Sequence, residues 1–221
     1  MEFNYIFFDL DGTLTDSGIG IISSVKYALK KYGIEEENSD KLKRFIGPPL
    51  TDSFMEYYGF DLCRAKEAVE YYREYYSEKG MYENELYSGI KELLAGLKEK
   101  SKIVLLTTSK PKFYAEKILK YFGIEGYFDF VIGSNLDGTL SDKKEIIYEA
   151  LKISGTELKK ESVVMVGDRK FDIEGANYNG IKSIAVLYGY GSYEELEKAG
   201  ADYKAASVEE INKIIFNKVE G

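Results

Sequence analysis

Four acidic side chains stand at spacings that suit metal and phosphoryl chemistry. Asp9 and Asp11 follow one apolar run, and Asp168 and Asp172 follow another. Asp9 and Asp11 are two residues apart, so an extended backbone would turn both carboxylates to the same side. Two carboxylates at such a short distance repel each other, and a bound cation offsets the cost of this repulsion. An Asp carboxylate can also act as a nucleophile and form an aspartyl-phosphate.

The composition restricts which metals and bases this site can use. The chain has 221 residues, with one cysteine and no histidine. This excludes imidazole as a base or a ligand, and with it Ser-His-Asp hydrolases and most zinc hydrolases. Carboxylate oxygens without histidine or cysteine suit Mg²⁺, which keeps several waters and often binds a substrate phosphate. The sequence therefore predicts Mg²⁺ as the cofactor.

Two further residues could hold a phosphate group. Thr108 follows a third apolar run, and Lys143 follows the loop after a fourth. A hydroxyl and an ammonium are suitable donors to phosphate oxygens. Taken singly, a polar residue after a strand is ordinarily a turn residue or a helix N-cap. Four such positions in order, at one edge of a predicted sheet, favour a functional site instead.

Apolar runs that alternate with helical patterns predict an α/β fold with a parallel sheet. The first predicted strand is separated from the others by a helical stretch much longer than an ordinary strand-to-helix connection. We therefore expect a Rossmann-like parallel sheet core, residues 1–15 and 83–221, with an inserted helical domain, residues 16–82. Open parallel sheets bind ligands at the carboxyl ends of their strands. The predicted strands are 5–8, 103–106, 130–132, 163–166 and 183–186.

Charge and hydropathy narrow the class of partner. The net charge of −8 disfavours nucleic acid as a partner, because phosphate backbones require a basic surface. No apolar stretch is long enough to span a membrane, and no signal peptide is recognisable. A lone cysteine fits a reducing compartment, so we expect a cytoplasmic protein. The expected partner is a small phosphorylated metabolite.

These motifs resemble those of the haloacid dehalogenase superfamily. The stretch Asp9-Leu10-Asp11-Gly12-Thr13-Leu14-Thr15 is similar to its first signature, and Thr108, Lys143 and Gly167-Asp168 with Asp172 are similar to the other three. The resemblance extends over essentially the whole chain. Phe45–Leu50 and Ser109-Lys110-Pro111 resemble local patterns of its phosphoglycolate phosphatase-like group. The helical insertion resembles the family's mobile cap.

The resemblance implies a role for each matching residue. Asp9 would attack phosphorus, and Asp11 would protonate the leaving alkoxide and then activate water. Mg²⁺ would be held by Asp9, Asp168 and the backbone carbonyl of Asp11, with Asp172 binding it directly or through water. Thr108 and Lys143 would hold the phosphoryl group, and backbone N–H groups near Leu10 and Asp11 would stabilise its charge. The remaining predicted substrate-binding residues are Gly12 and Ser109.

Several alternatives stay open at this point. Lys143 is preferred for the phosphate site over the adjacent Lys144, although the proline common near this lysine in relatives is absent. Asp137-Gly138-Thr139-Leu140 repeats the first motif, but Asn135 stands where a nucleophile would be needed, so we interpret it as a loop. Cys63 is expected to be a packed thiol. The predicted activity is a phosphoric monoester hydrolase; a sugar phosphomutase, a nucleotidase or pyrophosphatase, and a non-catalytic phosphometabolite-binding protein are the alternatives. The sequence indicates neither the substrate nor the oligomeric state.

Overall fold

The structure, a computed structural model, describes residues 2–216 and confirms the predicted α/β fold. Six parallel strands form one sheet in the order β5-β4-β1-β6-β7-β8. The strands are Tyr5–Phe8 (β1), Ile103–Pro111 (β4), Phe130–Ser134 (β5), Val163–Gly167 (β6), Lys182–Val186 (β7) and Tyr203–Ala205 (β8). Two short strands, Thr15–Asp16 (β2) and Glu85–Leu86 (β3), form a second sheet.

The chain divides into two compact units, one made of Met1–Thr15 with Leu86–Gly221 and the other of Asp16–Glu85. The sequence prediction put the second boundary a few residues earlier, between residues 82 and 83. In the first unit, helices follow the strands and cover the parallel sheet. They are Ile90–Glu99 (α5), Lys112–Phe122 (α6), Lys143–Ile153 (α7), Lys170–Asn179 (α8), Tyr193–Ala199 (α9) and Val208–Ile215 (α10).

The second unit is helical apart from its short strands at either end. Its helices are Gly18–Lys30 (α1), Ser39–Lys43 (α2), Leu50–Tyr58 (α3) and Leu62–Tyr75 (α4), followed by a π-helical turn at Tyr76–Gly80. Aromatic rings fill much of its interior, and the rings of Phe45 and Phe54 lie 5.0 Å apart. Cys63 is exposed, so the expectation of a packed thiol is wrong. The buried face of α4 carries Ala65, Ala68, Val69 and Tyr72, and Cys63 does not share it.

The core of the first unit explains how α7 is placed. Phe7, Leu105 and Met165 come from adjacent strands and pack in one buried cluster with Ile147 and Leu151 of α7. Burial of these apolar side chains stabilises the contact between helix and sheet. It also holds the first residue of α7, Lys143, at the carboxyl edge of the sheet. Among residues 2–216, no helix is both long and apolar enough to cross a membrane.

The starts of two helices are defined by local structure. Helix α5 begins directly after Gly89, which has a left-handed backbone, φ 86°. Ser207 caps α10 by accepting the N–H of Glu210, and the carboxylate of Glu210 accepts the N–H of Ala206. Strand β8 was not predicted, because its three residues are too short a run to indicate a strand.

Candidate active site

Asp9 lies directly after β1, between β4 and β6. Its backbone N–H donates to the carbonyl of Val166 at 2.9 Å, which holds the residue against β6. Its side chain is buried, and Oδ1 lies 2.6 Å from Nζ of Lys143. The strand ends at Phe8, so Asp9 and Asp11 do not share an extended strand as the sequence suggested.

Lys143 connects three parts of the site. Beyond Asp9, its Nζ lies 2.8 Å from Oδ1 of Asp172 and donates to the carbonyl of Thr107 at 3.0 Å. The helix begins here because Asp142 caps it, accepting the N–H of Lys144 at 2.8 Å. Lys144 itself is exposed, with its ammonium 5.5 Å from the ring centre of Tyr178. The structure therefore places Lys143, and not Lys144, beside Asp9.

Three carboxylates form one buried cluster at this edge of the sheet. Asp9, Asp168 and Asp172 each offer an oxygen, and these oxygens lie within 4.8 Å of one another. Asp168 follows β6, and Asp172 lies in the first turn of α8, where its Oδ2 accepts the N–H of Arg169. One ammonium, that of Lys143, contacts two of the three carboxylates. A buried excess of negative charge remains, and a divalent cation would offset it.

The electrostatics of the cluster also favour a bound cation. Burial raises the pKa of Asp9 to about 6, and repulsion from Asp172 adds to the rise while Lys143 opposes it. Burial, together with repulsion from Asp172 and Asp9, raises the pKa of Asp168 well above its ordinary value. Burial lowers the pKa of Lys143, but Asp172 and Asp9 more than reverse this and raise it above its ordinary value. The lysine is therefore positively charged at neutral pH.

Asp11 lies outside this cluster. Its Oδ2 forms an ion pair with Nζ of Lys110 at 3.0 Å, and both side chains are largely buried. Its other oxygen, Oδ1, is buried and has no hydrogen-bond partner within residues 2–216. Sequence reasoning missed Lys110, which was quoted only as part of the resemblance at Ser109-Lys110-Pro111. Nothing in the spacing of residues 11 and 110 showed that the two charges meet.

The remaining predicted residues lie close by on the ends of β1 and β4. Thr108 is buried, and its hydroxyl accepts the N–H of Lys110 at 3.2 Å. The carbonyl of Ser109 accepts the hydroxyl of Ser134 at 2.8 Å, which ties β4 to β5. The carbonyl of Leu10 accepts the N–H groups of the following turn, which Gly12 closes with φ 82°. These contacts fix the backbone around the site.

The repeated tetrapeptide at residues 137–140 forms a turn of its own. The N–H of Asn135 donates to the carbonyl of Thr139 at 2.9 Å, and Oδ1 of Asp137 accepts both the N–H and the hydroxyl of Thr139. Hydrogen bonds from Thr139 lower the pKa of Asp137. The carboxylate of Asp137 is engaged in holding this turn, which agrees with the interpretation of residues 137–140 as a loop.

Comparison with known proteins decides the family. Residues 6–186 match the family described as haloacid dehalogenase-like hydrolase. The chain belongs to this family. A 5'-nucleotidase of Pseudomonas aeruginosa is 41% identical over 215 residues, covering 97% of this chain and 96% of the relative. A phosphoglycolate phosphatase of Aquifex aeolicus is 30% identical over 214 residues, covering 97% of both chains.

A solved structure agrees with the haloacid dehalogenase-like assignment in three dimensions. The crystal structure of a predicted phosphatase from Clostridium acetobutylicum superposes with a TM-score of 0.93 at 47% identity, covering 97% of this chain and 99% of that one. The family and these relatives together identify a hydrolase of the phosphatase type, as the sequence predicted. The resemblance to the phosphoglycolate phosphatase-like group is likewise confirmed.

Proposed function

We propose that this haloacid dehalogenase-like hydrolase is a magnesium-dependent phosphatase that cleaves small phosphate monoesters through an aspartyl-phosphate on Asp9. The observation that carries the proposal is the buried cluster of Asp9, Asp168 and Asp172 with Lys143 at the carboxyl edge of the sheet. Such an edge is where open parallel sheets bind ligands. The cluster supplies a nucleophile, oxygen ligands and a cation in one place.

The residues fit a magnesium ion. Asp9, Asp168 and the backbone carbonyl of Asp11 would bind it, and Asp172 would bind it directly or orient a coordinated water. All are oxygen donors, and among residues 2–216 the three carboxylates outnumber the one ammonium in contact with them. When bound, Mg²⁺ supplies positive charge that neutralises the carboxylates and the phosphoryl oxygens.

The reaction then follows from the residues of the chain. Asp9 attacks phosphorus, and its new bond to phosphorus forms as the bond to the ester oxygen breaks. Asp11, which pairs with Lys110 before substrate binds, must take up a proton when the phosphate ester fills the site; it gives this proton to the departing alkoxide, so the alcohol leaves neutral. Asp11, now a carboxylate, takes a proton from water as that water attacks phosphorus. The aspartyl-phosphate is cleaved, and phosphate and free Asp9 remain.

Lys143 and Thr108 stabilise the transferring group in this scheme. Lys143 lies 2.6 Å from the nucleophile, so its ammonium is close to where phosphoryl charge accumulates. Thr108 lies on β4 next to Thr107, whose carbonyl accepts a hydrogen bond from Lys143 at 3.0 Å. Both donors are fixed before substrate arrives.

Replacing Lys143 and, separately, Lys144 tests which of the two lysines stabilises the phosphoryl group. We expect Lys143→Met to lower kcat/KM by about 10²- to 10³-fold, the usual cost of losing one charged or hydrogen-bonding group that stabilises the transition state. Lys144→Met is the matched control and should change kcat/KM by no more than about twofold, because its side chain is exposed. Thermal unfolding of both variants separates a catalytic loss from a folding defect. A larger loss in Lys144→Met would reverse the assignment.

The raised pKa values predict how magnesium binding depends on pH. A carboxyl whose pKa is higher in the folded than in the unfolded protein stabilises the folded state at low pH. This contribution to the free energy of unfolding is lost as the pH rises from the pKa of the unfolded state to that of the folded state. For Asp9 this window runs from 3.8 to about 6. Mg²⁺ competes with protons for the same oxygens. The rise in Tm on adding Mg²⁺ should therefore be small at pH 5 and grow through pH 6 to 7.

The control for this pH dependence is Asp168→Asn, which removes one proposed ligand. In that variant the Mg²⁺-induced rise in Tm should be strongly reduced at every pH. A rise in Tm that is independent of pH in the unsubstituted protein would contradict metal binding at these carboxylates.

The choice of substrate is tested by phosphate release from a panel with and without Mg²⁺. The relatives' names make nucleoside 5'-monophosphates and 2-phosphoglycolate the first substrates to test, with sugar phosphates and pyrophosphate beside them. We expect hydrolysis of at least one monoester, abolished by exhaustive chelation and restored by Mg²⁺. Interconversion of hexose phosphates without phosphate release would instead indicate a mutase. A cytoplasmic location and a capping role for the helical unit stay predictions.

A further inference from the structure

The chain that follows β7 returns to the active site as a short loop at residues 188–191. Its sequence is Tyr188-Gly189-Tyr190-Gly191. We propose that this loop is a positioning element: it holds the carboxylate of Asp168 in the orientation in which it binds the cation. The inference rests on the proposed function, because it concerns how tightly that metal site is held.

The first support is how closely the loop approaches Asp168. A Cβ placed on Gly189 would lie 2.3 Å from Cβ of Asp168, and one placed on Gly191 would lie 2.0 Å from the carbonyl oxygen of Asp168. Gly12, in the first motif, approaches Asp168 equally closely, since a Cβ on Gly12 would lie 2.2 Å from Oδ2 of Asp168. Contacts this short are not sustained between real atoms, so only glycine fits at these three positions.

The second support is the hydrogen bonding of the Asp168 carboxylate. The N–H of Tyr190 donates to Oδ2 at 2.7 Å, and the hydroxyl of Thr13 lies 3.4 Å from Oδ1. Both donors are neutral, whereas Asp9 and Asp172 share the ammonium of Lys143. The loop therefore orients the carboxylate and leaves its charge for the cation to neutralise.

The third support is that the loop is itself anchored. The hydroxyl of Tyr188 donates to the carbonyl of Thr13 at 2.9 Å, and its ring packs against Tyr87 with ring centres 4.6 Å apart. The N–H of Leu187, just before the loop, donates to the carbonyl of Ala205 at 2.9 Å. The loop thus joins the turn of the first motif to the end of β6. Groups that orient a metal ligand in this way commonly set metal affinity.

The decisive experiment measures the Kd for Mg²⁺ by calorimetry in Gly189→Ala and in the unsubstituted protein. We expect Gly189→Ala to raise this Kd by about 10- to 100-fold, while kcat at saturating Mg²⁺ changes much less. Gly96→Ala is the matched control, because a Cβ at Gly96 meets nothing within 4 Å, and its Kd should not change. A folded Gly189→Ala with an unchanged Kd would overturn the proposal.

A second variant keeps the test informative if Gly189→Ala does not fold. Tyr188→Phe removes the hydrogen bond to Thr13 but retains the ring against Tyr87, and we expect the Kd for Mg²⁺ to rise by about fivefold, the effect of one lost hydrogen bond. Tyr148→Phe, at an exposed tyrosine, is its control. An unchanged Kd in Tyr188→Phe rejects the loop's role. If the unsubstituted protein binds no Mg²⁺, the proposed function fails, and the inference fails with it.

Discussion

Asp9→Asn should abolish turnover and any covalent phosphoenzyme. The substitution keeps the shape of the side chain but removes the carboxylate that attacks phosphorus. Loss of a covalent nucleophile commonly lowers kcat by about 10⁴- to 10⁶-fold. The variant should stay folded, since Asn can still accept the hydrogen bond from Lys143 and places no charge at this position, where burial raises the pKa of Asp9. Steady-state phosphate release and acid-quenched mass spectrometry with peptide mapping measure the two effects.

The thermal stability of Asp9→Asn is the control that separates loss of the nucleophile from loss of folding. We expect the Tm of Asp9→Asn without metal to be equal to or higher than that of the unsubstituted protein, because repulsion among Asp9, Asp168 and Asp172 is reduced. Asp52→Asn, in the first turn of α3, is a matched substitution in the other unit and should leave kcat unchanged. Phosphate mapped to a residue other than Asp9, or an active Asp9→Asn, would overturn the mechanism.

The fold could be predicted because its apolar runs are short, continuous and separated by helical patterns. Tyr5–Phe8 and Val163–Val166 are buried throughout or nearly so, as strands covered on both faces should be. Their polar residues stand at the carboxyl ends, and the rule for parallel sheets brings these ends together. This is why Asp9, Lys143, Asp168 and Asp172 could be grouped before their distances were known.

What could not be predicted depends on contacts between residues far apart in the chain. The pairing of Asp11 with Lys110 requires the exact course of the bulged end of β4, which no local pattern specifies. Gly189 and Gly191 look like ordinary turn glycines until the carboxylate of Asp168 is seen against them. Cys63 was judged by its sequence neighbours and not by the face of the helix it occupies. Each of these failed predictions concerns the position of a residue in the tertiary structure and not its residue type.

Asp11→Asn should separate the two halves of the reaction. The substitution leaves the nucleophile and the backbone carbonyl at position 11 in place but removes the proton donor and base. Hydrolysis of alkyl phosphates should fall by about 10²- to 10⁴-fold, the usual contribution of general acid–base catalysis. An aryl phosphate has a good leaving group and needs less help, so Asp9 should still be phosphorylated. Because water is no longer activated, aspartyl-phosphate should accumulate.

The chain offers a closely matched control for Asp11→Asn. Asp137 occupies the same place in the second Asp-Gly-Thr-Leu tetrapeptide, is exposed and lies in its own turn. Asp137→Asn should therefore leave both alkyl and aryl phosphate hydrolysis unchanged. Accumulation is measured by intact mass after rapid acid quench, with Tm recorded because Lys110 loses its charged partner. Equal losses on alkyl and aryl substrates without a phosphoenzyme would show that Asp11 acts before phosphoryl transfer, by organising the site, and not as the acid and base.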